Sequence, residues 1–325
     1  MALETAFTQS LSIRHPIALA PMGGVAGGAL AAAVSQGGGL GLIGGGRGDR
    51  EQLAPELALA RAGTDRPWGI GFLSWGVDTE TLAWALDFEP AAVLLSFGDP
   101  TPFAQRVLDS GAKLILQVTD LEEARGALDV GADILVAQGG DAGGHSGGNA
   151  VGTLSFVPVV VDMAGPTPVL AAGGIADGRG LAAVLALGAA GALIGTRFEG
   201  SPEALLSAEE TKALLAAHGH DTESNRTLDI ARGAPWPDRY PARTLRNAYL
   251  DKWRGRDDEV RTNPEARREF QELADRNDLS AAPVWAGQGV GLVTAVEPAA
   301  DIVEAIAQDA ERTLHRLCAT QEVRS

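Results

Sequence analysis

One histidine stands inside a glycine-rich run, Gln138-Gly139-Gly140-Asp141-Ala142-Gly143-Gly144-His145-Ser146-Gly147-Gly148. Imidazole changes charge near neutral pH, so it can take or give a proton under working conditions. The surrounding glycines open backbone conformations closed to other residues and let a flat ligand approach the main chain. His145 is therefore the candidate catalytic residue, and the glycines of the run are candidates for lining a ligand. His15, His218, His220 and His315 lack such surroundings and read as packed or solvated side chains. His218-Gly219-His220-Asp221 carries metal-ligating types, but no third or fourth ligand stands nearby. It reads as a surface turn, and no metal is expected.

Two further loops have the composition to hold an anion. Val169-Leu170-Ala171-Ala172-Gly173-Gly174-Ile175-Ala176-Asp177-Gly178 runs from an apolar stretch into a helical one, and Ala192–Phe198 carries Gly195 and Thr196. Bare amides and one hydroxyl, from Gly173, Gly174, Gly195 and Thr196, are the donors a phosphate would use. Neither loop has a lysine, and Arg197 is the one nearby cation. The donors must then be mainly backbone.

Two motifs read differently in context. Gly39-Leu40-Gly41-Leu42-Ile43-Gly44 matches G-x-G-x-x-G, with Asp65 21 residues beyond Gly44. A dinucleotide fingerprint must follow the strand and open a helix, whereas this one occupies the apolar run itself. Gly144-His145-Ser146-Gly147-Gly148 matches G-x-S-x-G, which in a serine hydrolase sits on a strand-to-helix elbow. Here a long glycine loop precedes Ser146 and Asn149-Ala150-Val151-Gly152 is a poor helix start. A loop hydroxyl is the simpler reading.

The elements that must position these residues follow from the apolar pattern. Short apolar runs recur at Ile17–Ala20, Leu40–Ile43, Gly69–Phe72, Ala92–Leu95, Leu114–Val118, Ile134–Ala137, Pro168–Ala171 and Ala192–Gly195. Consecutive apolar residues bounded by Gly, Pro or Asp mark strands buried on both faces of a parallel sheet. Helical patterns lie between them, at Asp49–Arg61, Thr79–Leu86, Pro102–Ser110, Leu121–Asp129 and Gly178–Leu187. Asp120 is placed to cap the fourth of these, and Gly111, Gly131 and Gly188 to end helices. Eight such units predict an α/β fold, a (β/α)8 TIM barrel. The glycine loop then follows strand six, and the two anion loops follow strands seven and eight, at the face where barrel active sites lie.

After Phe198 the texture turns polar and helical, with Trp236, Trp253, Pro235, Pro237 and Pro241 in its middle and no strand run. The expected domains are a barrel over 1–199, a helical insertion covering the substrate over 200–283, and a C-terminal segment over 284–325. In the last, Ala299–Cys318 forms a helix that returns to the barrel.

With 26 basic and 42 acidic residues the net charge is −16, which repels phosphate backbones and anionic membranes, so nucleic acid is not an expected partner. The arginines at 254, 256, 261, 267 and 268 are interleaved with acids and read as a solvated helix face. A single cysteine, Cys318, excludes a disulfide framework. The apolar run Ile17–Gly46 is broken by glycines, Pro21, Ser35 and Gln36, which argues against a lipid-facing helix. With Glu4 early and no leader pattern, a cytoplasmic location is expected.

Several motifs together resemble the nitronate monooxygenase family, formerly called 2-nitropropane dioxygenases. They are Pro16-Ile17 to Pro21-Met22-Gly23, Gly37-Gly38-Gly39-Leu40-Gly41, Asp141-Ala142-Gly143-Gly144-His145, Ala171–Gly178 and Gly195-Thr196-Arg197-Phe198. Arg243-Thr244-Leu245-Arg246-Asn247 and Ala286-Gly287-Gln288-Gly289 resemble its C-terminal part. The resemblance implies an FMN-dependent barrel with a helical second domain. It implies that Ala20, Pro21 and Met22 line the flavin by their backbone, that Gln117 approaches it from the barrel mouth, and that Gly143 and Gly144 lie along it. Gly173, Gly174, Gly195 and Thr196 would hold its phosphate, Gln288 would close its pocket, and His145 would face the substrate. Asp141 stands where many relatives have Glu, Gly71 where many have Asn, and Gln117 where some have Lys.

The implied reaction is oxidation of alkyl nitronates by O2 to a carbonyl compound and nitrite, with His145 as base where neutral nitroalkanes are used. The flavin-dependent enoyl-acyl-carrier-protein reductases share the Ala-Gly-Gly-His loop, so an NAD(P)H-dependent reductase is the first alternative. A serine hydrolase using Ser146 and a flavin-binding protein without turnover are the others.

Overall fold

A computed structural model describes residues 3–322. In chain order the strands are β1 Ile17–Leu19, β2 Gly41–Gly46, β3 Trp68–Leu73, β4 Ala92–Ser96, β5 Lys113–Val118, β6 Ile134–Gln138, β7 Gly144–His145, β8 Val169–Ala172, β9 Gly191–Ile194, β10 Thr222–Asn225 and β11 Ala242–Leu245. Eight of them form one parallel sheet in the order β1-β9-β8-β6-β5-β4-β3-β2. The Leu19 amide donates to the Leu40 carbonyl at 2.9 Å, and the Leu40 amide to Ile17, also at 2.9 Å. These two bonds join β1 to the edge of β2 and bring the sheet round into a barrel. The eight barrel strands are the eight apolar runs of the sequence, shifted by a few residues at their ends.

Two apolar layers hold this shape. Ala18, Leu40, Leu42, Leu94, Ile115, Ile134, Val136, Leu170 and Leu193 fill the barrel interior, with Phe7 and Leu11 of the helix Ala6–Leu11 packed against them. The alternate strand residues, among them Ile17, Ile43, Ile70, Leu95, Leu116, Leu135 and Ile194, face outward to the helices. Every barrel strand thus buries both faces, which is why it reads as an unbroken apolar run. Asp120 accepts hydrogen bonds from the Glu122 and Glu123 amides and starts Leu121–Asp129. Gly111, Gly131 and Gly188 adopt positive φ where their helices end.

The G-x-G-x-x-G run is explained by packing. A Cβ on Gly41 would collide with the Ala31 carbonyl, and one on Gly44 with that of Met22. These glycines let the helix Gly28–Gln36 and the Met22 turn sit directly on β2. The stretch from 17 to 46 that looks span-like in sequence is therefore strand, helix, strand. Among the described residues no helix is long and apolar enough to cross a membrane.

The polar segment after β9 differs from its expected all-helical form. It contributes β10 and β11, which pair antiparallel, and β11 pairs in turn with β7 in the glycine loop. Both strands are four residues long and largely polar, with one face turned to solvent or to the loop, so no apolar run betrays them. Around them Leu228, Tyr249, Leu250, Trp253, Val260 and Phe270 make a separate small core. The long helix Ala299–Glu322 returns to the barrel, where it packs on Gly178–Ala186 and on Gly28–Gln36. Gly178 has no side chain at that crossing, where a Cβ would collide with the Ala310 amide.

Candidate active site

A cavity of about 340 Å³ opens at the C-terminal ends of the barrel strands. That is enough for a small ligand, and this face carries the active site in characterised TIM-barrel enzymes. Its wall takes residues from the loop after β1, the ends of β3 to β6, β7, and the loops after β8 and β9. Ala20, Pro21, Met22, Gln117, Gly143, Gly144, His145, Gly173, Gly174, Gly195 and Thr196 all line it. Residues more than 170 positions apart thus meet because each follows its own strand.

Gln288 does not join them. It is exposed, and it lines a second, shallower depression behind the loop, while its neighbours Gly287 and Gly289 line the main cavity. The reason is local. The Gln288 amide donates to the Asp141 carbonyl at 2.9 Å, and the Gly287 amide to Thr196 Oγ1 at 3.0 Å. Those bonds turn the backbone of Ala286–Gly289 toward the loops and the Gln288 side chain outward. Ser146 is buried but does not line the cavity either. Among the described residues no hydrogen bond joins the Ser146 hydroxyl to a histidine, the contact a serine nucleophile needs.

The loops after β8 and β9 form a cradle of backbone. Gly173 and Gly174 have φ of 112° and 70°, which only glycine adopts without strain. Among the described residues, the amides of Gly174 and Gly195 bond to no other backbone group. Arg197 is turned away from the cradle. It is buried, and its Nη2 is ion-paired with Glu297.

His145 is fixed by the segment after the barrel. Asp229, on the helix Thr227–Ala231, is 2% exposed and its Oδ2 lies 2.8 Å from His145 Nε2. Burial by itself would raise the Asp229 carboxyl. The hydrogen bond and charge of His145 and the charge of Arg232 outweigh it and hold the carboxyl below its ordinary range. Asp229 is therefore ionised and can only accept, so the imidazole proton sits on Nε2. Burial is also the main influence on His145, and it lowers the imidazole from its ordinary value near 6.5. The Asp229 bond opposes that shift, while Arg232 and Arg226 reinforce it. At neutral pH the ring is neutral, with a lone pair on Nδ1.

Aromatic packing fixes the ring plane. Trp285 lies 5.5 Å away on a tilted plane, and Trp236 stacks directly on the imidazole. Trp236 is held in turn edge-on by Trp75 at 5.1 Å and Phe97 at 5.3 Å. The Gln138 side chain holds the loop backbone, its Nε2 donating to the His145 carbonyl at 3.0 Å. Arg232, Trp236 and Trp285 all line the cavity. Neither Asp229, Arg232 nor Trp285 stood out in the sequence, and Trp236 did so only as part of a Trp- and Pro-bearing stretch. No spacing rule connects position 145 to 229, because the link is made by β11 docking on β7.

One more ionisable group lines the cavity. Glu199, three residues after Thr196, is 3% exposed and its Oε2 has no hydrogen-bond partner among the described residues. Burial, then the charge of Glu210, pushes its carboxyl well above the usual range, which favours its neutral form.

A barrel with bare backbone amides in the loops after β8 and β9 and a neutral, oriented histidine lining the same cavity has the layout of a barrel oxidoreductase that works with a bound cofactor. The family model for nitronate monooxygenase matches residues 4–79 and 73–309, and the chain belongs to that family of monooxygenases. It is 34% identical to the nitronate monooxygenase of Neurospora crassa, over 94% of this chain and 91% of that protein. Among solved structures, FabK from Thermotoga maritima matches with a TM-score of 0.84 and 31% identity, covering 98% of this chain and 99% of that one. The nitroalkane oxidase of Streptomyces ansochromogenes matches with a TM-score of 0.79 and 30% identity, covering 96% and 100%. The family is in general flavin-dependent.

Proposed function

We propose that this enzyme binds FMN at the barrel mouth and oxidises alkyl nitronates with O2 to a carbonyl compound and nitrite. The observation that carries the reading is the state of His145: a neutral imidazole, its proton on Nε2 toward Asp229, lining the same cavity as the bare-amide cradle. When bound, the flavin supplies the electron transfer.

The donors present fit a phosphate. The free amides of Gly174 and Gly195 and the Thr196 hydroxyl can replace water around a dianion, with Gly173 allowing the close approach. Thr196 Oγ1 already accepts from Gly287, which leaves its proton to donate. Ala20, Pro21, Met22, Gly143 and Gly144 would line the isoalloxazine. Gln117, half-buried in β5, would approach it from the barrel mouth. Gln288 has no contact role in this assignment.

His145 then does the protein's share of the proton chemistry. With a neutral nitroalkane, Nδ1 takes the α-proton, and Asp229 stabilises the imidazolium that forms. A nitronate arrives already deprotonated and needs only orientation. Trp236 and Trp285 limit water in the cavity. In this reading residues 1–199 carry the cofactor, 200–283 cover the substrate and the remainder closes the barrel.

The likeness to FabK gives weight to a second reading, NAD(P)H-dependent enoyl reduction on the same scaffold. The tests are direct. The purified protein should be yellow and release FMN on denaturation, and ethylnitronate should drive O2 uptake with nitrite formed. A colourless protein that takes up no FMN would overturn the cofactor assignment. Rapid anaerobic bleaching by NADPH, with no nitronate-dependent O2 uptake, would establish the reductase instead.

A further inference from the structure

The charge of the substrate is a separate question from the flavin and the base, and one residue bears on it. Arg232 is the only lysine or arginine among the residues lining the main cavity. Its Nε and Nη2 both donate to Asp229 Oδ1, at 3.1 and 2.6 Å. Its guanidinium carbon lies 5.0 Å from the centre of the Trp285 ring, which shares the cavity wall. Two of its three nitrogens and its planar face are thus committed, while Nη1 has no partner among the described residues. A long side chain held in this way has already lost most of its rotamer freedom, so a ligand that binds Nη1 gains a charge-assisted bond at small entropic cost.

We propose that Arg232 recognises the negative charge of the substrate and makes this enzyme select the nitronate anion over the neutral nitroalkane. The inference rests on the nitronate reading above and adds to it the group that reads charge. The two oxygens of Asp229 divide the work. Oδ2 holds the proton-handling imidazole, and Oδ1 holds the charge-reading guanidinium. A local cation is needed here because the whole chain carries a net charge of −16, which repels anions. Asp229 offsets part of that charge from outside the lining, and Glu199, the one carboxyl in the lining, is pushed by burial toward its neutral form. A nitronate spreads its charge over two oxygens on one nitrogen, and either can accept from Nη1.

Nitrate has the same planar O–N–O group, carries one negative charge and needs no turnover, so it is the probe. The flavin-loaded protein is titrated calorimetrically with sodium nitrate, with chloride balancing the ionic strength. The wild type should bind nitrate, Arg232→Met should raise Kd by about tenfold or more, and Arg232→Lys should recover part of the loss. In steady state, Arg232→Met should raise KM for ethylnitronate by a similar factor, with KM for nitroethane changed by less than about twofold. Matching circular dichroism and flavin content in the three proteins make the comparison one of binding. Absent nitrate binding in the wild type, or equal affinity in Arg232→Met, overturns the proposal. Nitrate binding that depends on Arg232, in a protein that does not oxidise nitronates, sustains the anion site and overturns the reaction proposed above.

Discussion

His145 and Trp236 lie face to face, with ring centres 3.3 Å apart and planes 8° from parallel. The histidine belongs to the glycine loop after β6, and the tryptophan to the segment that follows the barrel. Their stack, together with the Asp229 hydrogen bond, leaves the imidazole little freedom to rotate. Trp236→Ala should remove this support. The expected result is a fall of about tenfold or more in kcat with nitroethane, and flavin content close to the wild type. Trp236→Phe should recover most of the rate. Equal rates in Trp236→Ala and the wild type would show that the stack does not orient the base.

His145→Ala should remove the base and keep the cradle. Turnover of nitroethane should fall by a factor on the order of 10²–10⁴, the usual worth of general base catalysis. Turnover of preformed ethylnitronate should fall much less, and bound flavin should stay near one per chain. The ratio of the two rates, measured by O2 uptake on the same preparation, is the readout. A parallel loss on both substrates would assign His145 to binding or orientation.

The pH dependence has a defined sign. Burial lowers the His145 imidazole below its ordinary value near 6.5, and the active form is the neutral one. The acidic limb of kcat/KM for nitroethane should therefore fall below pH 6.5, with the rate kept above it. Asp229→Asn removes the two influences that raise this group, its hydrogen bond and its charge. In that variant the limb should move further toward acid while the plateau rate drops, because the imidazolium loses its counter-charge. The same depressed value means that stability linked to His145 is present above pH 6.5 and is lost as pH falls through the folded value.

Gly195→Val tests the phosphate cradle with little harm to the fold. Gly195 has φ of −105°, outside the left-handed region, and an added Cβ would first meet Met22 Sδ at 3.2 Å, on a flexible side chain. We expect folded protein with flavin affinity reduced by about tenfold or more. Thr196→Ala should be milder, since one neutral hydrogen bond contributes about 0.5–1.5 kcal/mol. Gly173→Val is a poorer test, because φ is 112° there and a Cβ would lie 2.7 Å from Thr153 Oγ1, so the fold itself would suffer. A full flavin complement at unchanged affinity in Gly195→Val would remove the loops after β8 and β9 from phosphate binding.

Gly41→Ala should act on stability alone. The new methyl would collide with the Ala31 carbonyl, which is backbone and cannot turn aside. The helix Gly28–Gln36 would have to lift from β2, at a cost of about 1–3 kcal/mol or more. Thermal unfolding of the two proteins, each saturated with flavin, is the check. An unchanged midpoint would mean the helix can shift freely.

The barrel was legible from the amino-acid sequence because its strands bury both faces. Ile134–Ala137 of β6 or Val169–Ala172 of β8 must be apolar at every position wherever it sits, and the glycine that follows the strand is a local requirement. The order of the loops then places His145, Gly173, Gly174, Gly195 and Thr196 at one end of the barrel, because every parallel strand delivers its following loop to the same face. Gln288 escaped that logic. It follows no strand of the barrel, and its orientation is set by hydrogen bonds to Asp141 and Thr196 made across the fold. Asp229, Arg232 and Trp285 escaped it for the same reason. The strands that carry the segment over the loop, β10 and β11, are short and polar, and their pairing with β7 is a long-range choice that no periodicity records. The local sequence determined which residues form the barrel and which backbone is bare. Only the tertiary structure decided which carboxylate holds His145, which ring covers it and which cation stands beside it, because those contacts join segments that share no element.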